Sequence, residues 1–173
     1  MRDRQSPGRV AADHLTRLSR IAVVVLLLWP LAASAEVQWR FDTRNGRPYL
    51  EVRDRGEEAD TDFWASCRKA GDVDIGIGAN TGVGKGQREP VTLQLVGAAA
   101  RVATLQGVSR RSADYQMTAG TELRATVTLG DPLFAVLAAG GSIKVTGSIA
   151  RPLTLDVRGL ATRLDAFMRA CGS

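Results

Sequence analysis

The chain of 173 residues contains 23 basic and 18 acidic residues and one histidine, His14. Residues 1–35 hold that histidine, five of the basic residues and two of the acidic ones, so residues 36–173 carry 18 basic and 16 acidic side chains. The difference is a net charge of only +2, which argues against a nucleic-acid-binding surface. The lack of histidine in residues 36–173 excludes catalytic triads and metal sites that depend on imidazole.

The first 35 residues have the pattern of a secretory signal peptide. Several arginines precede an apolar run from Ile21 to Leu31, and Ala33-Ser34-Ala35 forms a small-residue cleavage site before Glu36. The apolar run has about half the length needed to span a bilayer, and Pro30 interrupts its end. We therefore expect cleavage after Ala35, a periplasmic or secreted location, and no integral membrane anchor in the cleaved protein.

Residues 36–173 are predicted to form a single domain that begins with a β-hairpin. Asn45-Gly46 favours a type I′ turn, because both residues tolerate positive φ. If these two form the turn, Phe41 faces Leu50 and Trp39 faces Val52. Proline cannot donate to the hydrogen bonds of a sheet, so Pro48 is easiest to place on an edge strand.

The middle of the chain alternates between strand patterns and loops. The mixed charges of Arg53 to Asp62 predict a solvent-exposed loop. Val73, Ile75 and Ile77 alternate with polar residues or glycine, which is typical of a half-buried strand. The glycine-rich stretch from Gly76 to Gly86 is expected to be a mobile connection. Further strands are predicted over residues 63–67 and 91–96, with weaker strand patterns over 101–105 and 113–117.

The last third of the chain predicts both helices. Asp131 can cap a helix that starts with Pro132 and ends near Ala139, before Gly140-Gly141. A second helix is expected from Leu160 to Ala170, because its apolar residues share one face. Strands are predicted over residues 123–129, 142–146 and 153–157. Together these elements predict a mainly β protein, an antiparallel β-sandwich or partly open barrel with two short helices, the last one C-terminal.

The two cysteines, Cys67 and Cys171, are predicted to form a disulfide. An exported chain meets an oxidising compartment, where such pairs form and persist. A free thiol or an intermolecular bond is the alternative. The predicted bond would make residues 36–173 a disulfide-closed domain and would attach the C-terminal helix to the β-sheet.

The glycine-rich stretch invites comparison with nucleotide-binding loops, but its pattern does not fit them. A P-loop has glycine where this chain has Ala79, and a hydroxyl residue where it has Gly86. A flexible surface loop is therefore the main interpretation. The alternative is a binding loop in which Lys85 and Arg88 contact an anion. No metal ion or cofactor is expected.

Two further groups of residues leave alternatives open. Glu57, Glu58, Asp60 and Asp62 predict a solvated acidic loop, although paired carboxylates could also cleave a glycan. The aromatic residues Trp39, Phe41, Phe63 and Trp64 predict core packing, although aromatic side chains also serve as binding anchors. We expect a non-enzymatic module that binds a protein or a cell-envelope component. The alternatives are a carboxylate-dependent glycan-cleaving enzyme and a small-ligand carrier.

The order of several features resembles the invasion-associated locus B family of small exported bacterial proteins. These features are the leader, Trp64-x-x-Cys67, the segment from Pro132-Leu133 to Gly141, and the helix from Gly159-Leu160 to Phe167-x-x-x-Cys171. The likeness concerns the order of elements over the second half of the chain. It implies a periplasmic or surface protein with a sandwich-like fold and an envelope or host-contact role, and it transfers no catalytic residue.

Overall fold

The computed structural model describes residues 38–53, 61–79, 81–113 and 115–173. Its strands are β1 Gln38–Arg44, β2 Arg47–Arg53, β3 Phe63–Lys69, β4 Asp72–Ile77, β5 Gln87–Val96, β6 Val102–Arg111, β7 Thr121–Thr128, β8 Ser142–Gly147 and β9 Leu153–Asp156. Its helices are α1 Tyr115–Thr118, α2 Pro132–Ala138 and α3 Ala161–Gly172, with a 3-10 turn at Ala98–Ala100. The described residues all lie within the compact unit Ala35–Ser173.

The nine strands of the described residues form one antiparallel sheet in the order β1-β2-β3-β4-β7-β6-β5-β8-β9. The sheet curls into a half-barrel. The prediction of a mainly β, partly open barrel with a C-terminal helix is therefore confirmed. The sandwich alternative is not observed, because these strands belong to a single sheet.

The first hairpin has the predicted register. Trp39 pairs with Val52 and Phe41 with Leu50. Asn45 and Gly46 have φ values of +51° and +72°, as a type I′ turn requires. The expected edge position of Pro48 was wrong, because β2 lies between β1 and β3. The proline is tolerated because the ladder between β2 and β3 begins one residue later, at Tyr49.

The hydrophobic core lies on one face of the sheet. Alternation along β4 buries Val73, Ile75 and Ile77 completely. Helix α2 starts where predicted, since the Asp131 carboxylate accepts a hydrogen bond from the Leu133 amide at 2.8 Å. Both longer helices add apolar side chains to this core, including Leu133, Phe134, Val136 and Leu137 from α2 and Leu164 and Phe167 from α3.

Helix α3 is attached to the sheet by the predicted cysteine pair. Cys67 on β3 and Cys171 on α3 stand at disulfide distance, with their Cα atoms 5.6 Å apart. The carbonyl of Cys171 also accepts a hydrogen bond from the Gly71 amide at 3.0 Å. The cysteine pair and this hydrogen bond therefore both hold the end of α3 against the β3–β4 turn.

One predicted strand is a helix. Residues 113–117 were expected to extend, but Tyr115–Thr118 form the short helix α1 in the connection between β6 and β7. Met117 in this helix is 79 % exposed, so its side chain has no core to face. The connection closes through a hydrogen bond of 2.9 Å from the Ser112 amide to the Gly120 carbonyl. Without a buried partner for its apolar residues, the segment gains nothing from extending as a strand.

Some of the sequence predictions fall on other parts of the chain. The signal peptide of residues 1–35 and residues 54–60 of the charged loop lie outside the described residues. In the described ranges, no helix combines the length and the apolar character needed to cross a membrane.

Candidate functional site

The face of the sheet opposite the core carries an unusual set of side chains. Tyr49 on β2 and Trp64 on β3 project from this face. The next residue along each strand, Leu50 and Ala65 respectively, is buried in the core on the opposite face. Arg124 reaches the same face from β7, because it pairs with Gly76 and Gly76 pairs with Trp64. Strands distant in sequence therefore meet here.

Four side chains on this face form a stacked row in the order Arg44, Tyr49, Trp64, Arg124. The Arg44 guanidinium carbon lies 4.0 Å from the centre of the Tyr49 ring. The rings of Tyr49 and Trp64 are nearly parallel, 7° apart, with centroids 6.1 Å from each other. The Arg124 guanidinium carbon lies 4.3 Å from the centre of the Trp64 ring. Arginines thus close both ends of an aromatic pair through cation–π contacts.

A glycine makes room for this row. Trp64 and Arg124 lie two strands apart, and Gly76 of β4 lies between them. A β-carbon at Gly76 would overlap the indole nitrogen of Trp64. The missing side chain therefore lets the indole lean across β4 toward Arg124.

Two buried glutamates lie beneath the row. Glu51 and Glu122 are each 2 % exposed. Arg44 forms an ion pair of 2.5 Å with Glu51. One oxygen of Glu122 accepts a hydrogen bond of 2.6 Å from the Arg124 Nε, and the other accepts one of 3.0 Å from the Trp64 Nε1. Pairing compensates the cost of burying the two charges and fixes both arginines in position.

The environment of Tyr49 keeps its hydroxyl protonated. Burial raises the pKa of Tyr49 above its ordinary value of 10.0, although the adjacent Arg44 guanidinium acts in the opposite direction. The phenol is therefore a neutral hydrogen-bond donor at neutral pH.

A pocket lies at each end of the row, and each contains two arginines. The Arg47 pocket, at the Arg44 end, has a volume of about 420 Å³. The Arg110 pocket, at the Arg124 end, has a volume of about 270 Å³. The Arg47 pocket is lined by Arg44, Asn45, Arg47, Tyr49 and Ser66. The Arg110 pocket is lined by Trp64, Asp74, Ile75, Val108, Arg110, Arg124, Ala125 and Thr126.

The arrangement suits binding better than acid–base chemistry. Both buried carboxylates are already engaged by arginines, and the Asp74 carboxylate accepts a hydrogen bond of 2.7 Å from Thr126. Among the residues that the structure describes, no group of three or more histidine, cysteine or acidic side chains is arranged to hold a metal ion. The exposed guanidinium groups can donate several hydrogen bonds to an oxyanion.

Comparison with protein-family models, curated proteins and solved structures finds no match to this chain. The resemblance to the invasion-associated locus B family stays a prediction.

The structure places the predicted binding residue Lys85 in the connection between β4 and β5, and the other, Arg88, at the second position of β5. Both are exposed, and neither lines the Arg47 or the Arg110 pocket. Positive φ angles recur at Gly82, Gly84, Gly86 and Arg88. Such alternation turns successive amides toward one side and forms an anion-binding concavity.

The anion held by this concavity belongs to the chain itself. The Glu89 carboxylate accepts hydrogen bonds from the amide of Lys85 and, at 2.9 Å, from the amide of Gln87. The Lys85 amide is the largest influence that lowers the pKa of Glu89, and the Gln87 amide acts in the same direction. An anion-binding loop was only the alternative to a flexible surface loop in the sequence, and Glu89 was not among the residues expected to take part in it.

The glycine-rich connection is also attached at several points. Val83 is fully buried, and its amide donates a hydrogen bond of 2.9 Å to the Thr121 carbonyl. Gly84 donates one of 3.2 Å to the Ser148 carbonyl, and Gly82 accepts one of 2.8 Å from the Ala150 amide. The expected mobile connection is thus anchored to β7 and to the turn between β8 and β9.

The structure describes one of the four carboxylate residues of the acidic loop, Asp62. Glu57, Glu58 and Asp60 lie outside the described residues, so the alternative of paired carboxylates that cleave a glycan stays a prediction. The backbone carbonyl of Asp62 accepts a hydrogen bond of 2.9 Å from the Gly78 amide, which attaches the end of this loop to the start of the glycine-rich connection.

Sequence reasoning missed most of the stacked row. It named Trp64 among the aromatic residues and treated core packing as the main interpretation, but Trp64 lies on the face opposite the core. It did not select Arg44, Tyr49 or Arg124. The usable signals were the out-facing positions of Tyr49 and Trp64 and the glycine inside β4.

Proposed function

We propose that the chain is an exported, non-enzymatic module that binds a protein or a cell-envelope component through the stacked face. The stacked face is the row Arg44, Tyr49, Trp64 and Arg124 together with the Arg47 and Arg110 pockets. The observation that carries the proposal is the row itself, fixed by two buried glutamates on the face opposite the core.

Composition and rigidity support a binding role for this face. Tryptophan, tyrosine and arginine are the residues that contribute most of the energy in protein interfaces. The ion pairs to Glu51 and Glu122 hold Arg44 and Arg124 in place before any partner arrives. A surface that is already ordered loses less conformational entropy on binding.

The compartment and the family form part of the same proposal. The leader pattern of residues 1–35 supports a periplasmic or secreted location. The resemblance to the invasion-associated locus B family supports an envelope or host-contact role.

Affinity capture with charge-matched variants tests the proposal. The purified protein is crosslinked in an envelope extract and its partners are quantified by mass spectrometry. The test variant, Arg47→Ala/Arg110→Ala, removes the two exposed arginines that line the pockets and are not part of the row. We expect this variant to reduce enrichment of the main partner about tenfold, because each substitution removes a guanidinium group that can form charged hydrogen bonds with the partner.

The matched control is Lys144→Ala/Arg151→Ala. It removes the same charge from exposed positions that line neither pocket. Its enrichment should equal that of the unmodified protein. Equal enrichment by all three proteins, or an equal loss in both variants, would contradict a specific role of the stacked face.

A further inference from the structure

We infer that the Arg47 pocket binds a phosphoryl group carried by a larger molecule, such as a lipid headgroup or a sugar phosphate. The inference rests on the proposed function, because it places a ligand group at one end of the stacked face. The pocket volume of about 420 Å³ lies within the range of small-ligand sites, which is roughly 300–1,000 Å³.

Every residue that lines this pocket can donate a hydrogen bond. Arg44 and Arg47 supply guanidinium groups, Asn45 an amide, and Tyr49 and Ser66 hydroxyls. None of these lining residues is acidic. The two arginines are directly opposite each other in the β1–β2 hairpin, so both charges converge on one spot.

The two arginines differ in how they are held. Arg44 is fixed by its ion pair with Glu51 and by its contact with the Tyr49 ring. Arg47 is exposed and, within the described part of the chain, has no acidic partner. One guanidinium is therefore positioned and compensated, while the charge of the other is available to a ligand.

The donor set fits a phosphoryl group better than a carboxylate. A carboxylate presents two oxygens in one plane, whereas a phosphoryl group presents up to three acceptor oxygens in three directions. The five lining residues come from β1, the hairpin turn, β2 and β3, so the donors are spread across three adjacent strands and can contact separate oxygens. Glu51 on this face is paired with Arg44, and a second acidic residue there, Asp42, lies opposite Tyr49 and accepts a hydrogen bond of 2.7 Å from the Thr43 amide.

The other candidate anion site is already filled. The amides of the glycine-rich connection bind the Glu89 carboxylate, so an external anion there would have to displace a tethered group of the chain. The Arg47 pocket needs no such displacement.

Titration with three probes tests the inference. The purified protein is titrated with glycerol 3-phosphate and with acetate by calorimetry, and its binding to phosphatidylglycerol vesicles is measured by flotation. We expect glycerol 3-phosphate to bind more tightly than acetate. Arg47→Ala should weaken phosphoryl binding about tenfold, and Arg151→Ala should leave it unchanged.

The vesicles distinguish the source of the group. Binding to both vesicles and glycerol 3-phosphate supports a lipid headgroup, and binding to glycerol 3-phosphate alone supports a soluble phosphate. The inference is overturned if neither binds, if acetate binds as tightly as glycerol 3-phosphate, or if Arg47→Ala and Arg151→Ala behave alike.

The two experiments fail separately. If the phosphoryl probes do not bind but the protein still captures a partner protein in a way that depends on the two pockets, this inference is overturned and the proposed function stands. Failure of both the capture and the titrations would overturn both.

Discussion

At the scale of single residues, Gly76 decides where the indole of Trp64 lies. Glycine is unfavourable in the middle of a strand, because it contributes no packing and loses the most conformational entropy. Here its missing side chain opens the space through which Trp64 donates to Glu122 and meets Arg124. The stacked row therefore depends on Gly76, a residue that contributes no side chain to the row.

We predict that Gly76→Ala displaces Trp64 and lowers the free energy of unfolding by about 1–3 kcal/mol, the usual cost of overpacking. Denaturant unfolding and tryptophan emission measure the two effects. Gly130→Ala is the control, because a β-carbon there meets no atom closer than 4.0 Å. Equal stability and equal emission of the two variants would show that Gly76 does not position the indole.

At the scale of elements, the glycine-rich connection acts as a strap that closes on Glu89. Its amides converge because φ is positive at alternate residues, and a β-carbon at Gly84 would overlap the Glu89 carboxylate. Ser109 of β6 adds a second attachment, since its hydroxyl accepts a hydrogen bond of 2.8 Å from Gly86 and donates one to the Val83 carbonyl. The strap is thus held by an internal anion and by a neighbouring strand.

Glu89 is expected to make stability depend on pH in the acid range. Its pKa in the folded protein is lowered from the ordinary value of 4.5, so its stabilising contribution is present above that value. The contribution is lost as the pH falls through the lowered pKa. Glu89→Gln should therefore lower the melting temperature at pH 7, and the difference from the unmodified protein should shrink toward about pH 3.

Thermal unfolding of both proteins between about pH 7 and pH 3 measures this difference. A gap of constant size across that range would mean that the charge of Glu89 contributes nothing to the strap.

At the scale of the whole molecule, a side chain bridges the two edges of the half-barrel. Strands β1 and β9 end the sheet on opposite sides, yet the Trp39 indole on β1 donates a hydrogen bond of 2.7 Å to the Asp156 carbonyl on β9. Trp39 is 2 % exposed and packs against Phe63, with ring centroids 5.5 Å apart. The half-barrel is thereby joined without a further pair of strands.

We predict that Trp39→Phe weakens this junction. The variant keeps an aromatic ring in the core but leaves the Asp156 carbonyl without its donor, which costs about 1–3 kcal/mol. Amide hydrogen exchange should then become faster in β9 and β1. The central strands β4 and β7 should exchange only as fast as global unfolding allows. Unchanged exchange in β9, or a uniform change over the whole sheet, would contradict a local junction.

The sequence by itself determined the local features of this protein. The type I′ turn at Asn45-Gly46 and the alternation of apolar residues decided the register of the first hairpin, because both act over a few residues. The cap at Asp131 and the proline after it decided the start of α2. Two cysteines in a chain with an export leader predicted the pair Cys67 and Cys171, whereas the leader itself stays a prediction.

Only the tertiary structure decided which faces and edges meet. Trp64 and Arg124 lie sixty positions apart in the chain and touch because β7 inserts beside β4. The strand expected at residues 113–117 became α1 because the fold leaves that connection outside the core. Turns and caps depend on neighbouring residues. The stacked row, its two pockets and the junction at Trp39 depend instead on the order of strands in the sheet. The alternation of apolar residues along a single strand does not encode that order.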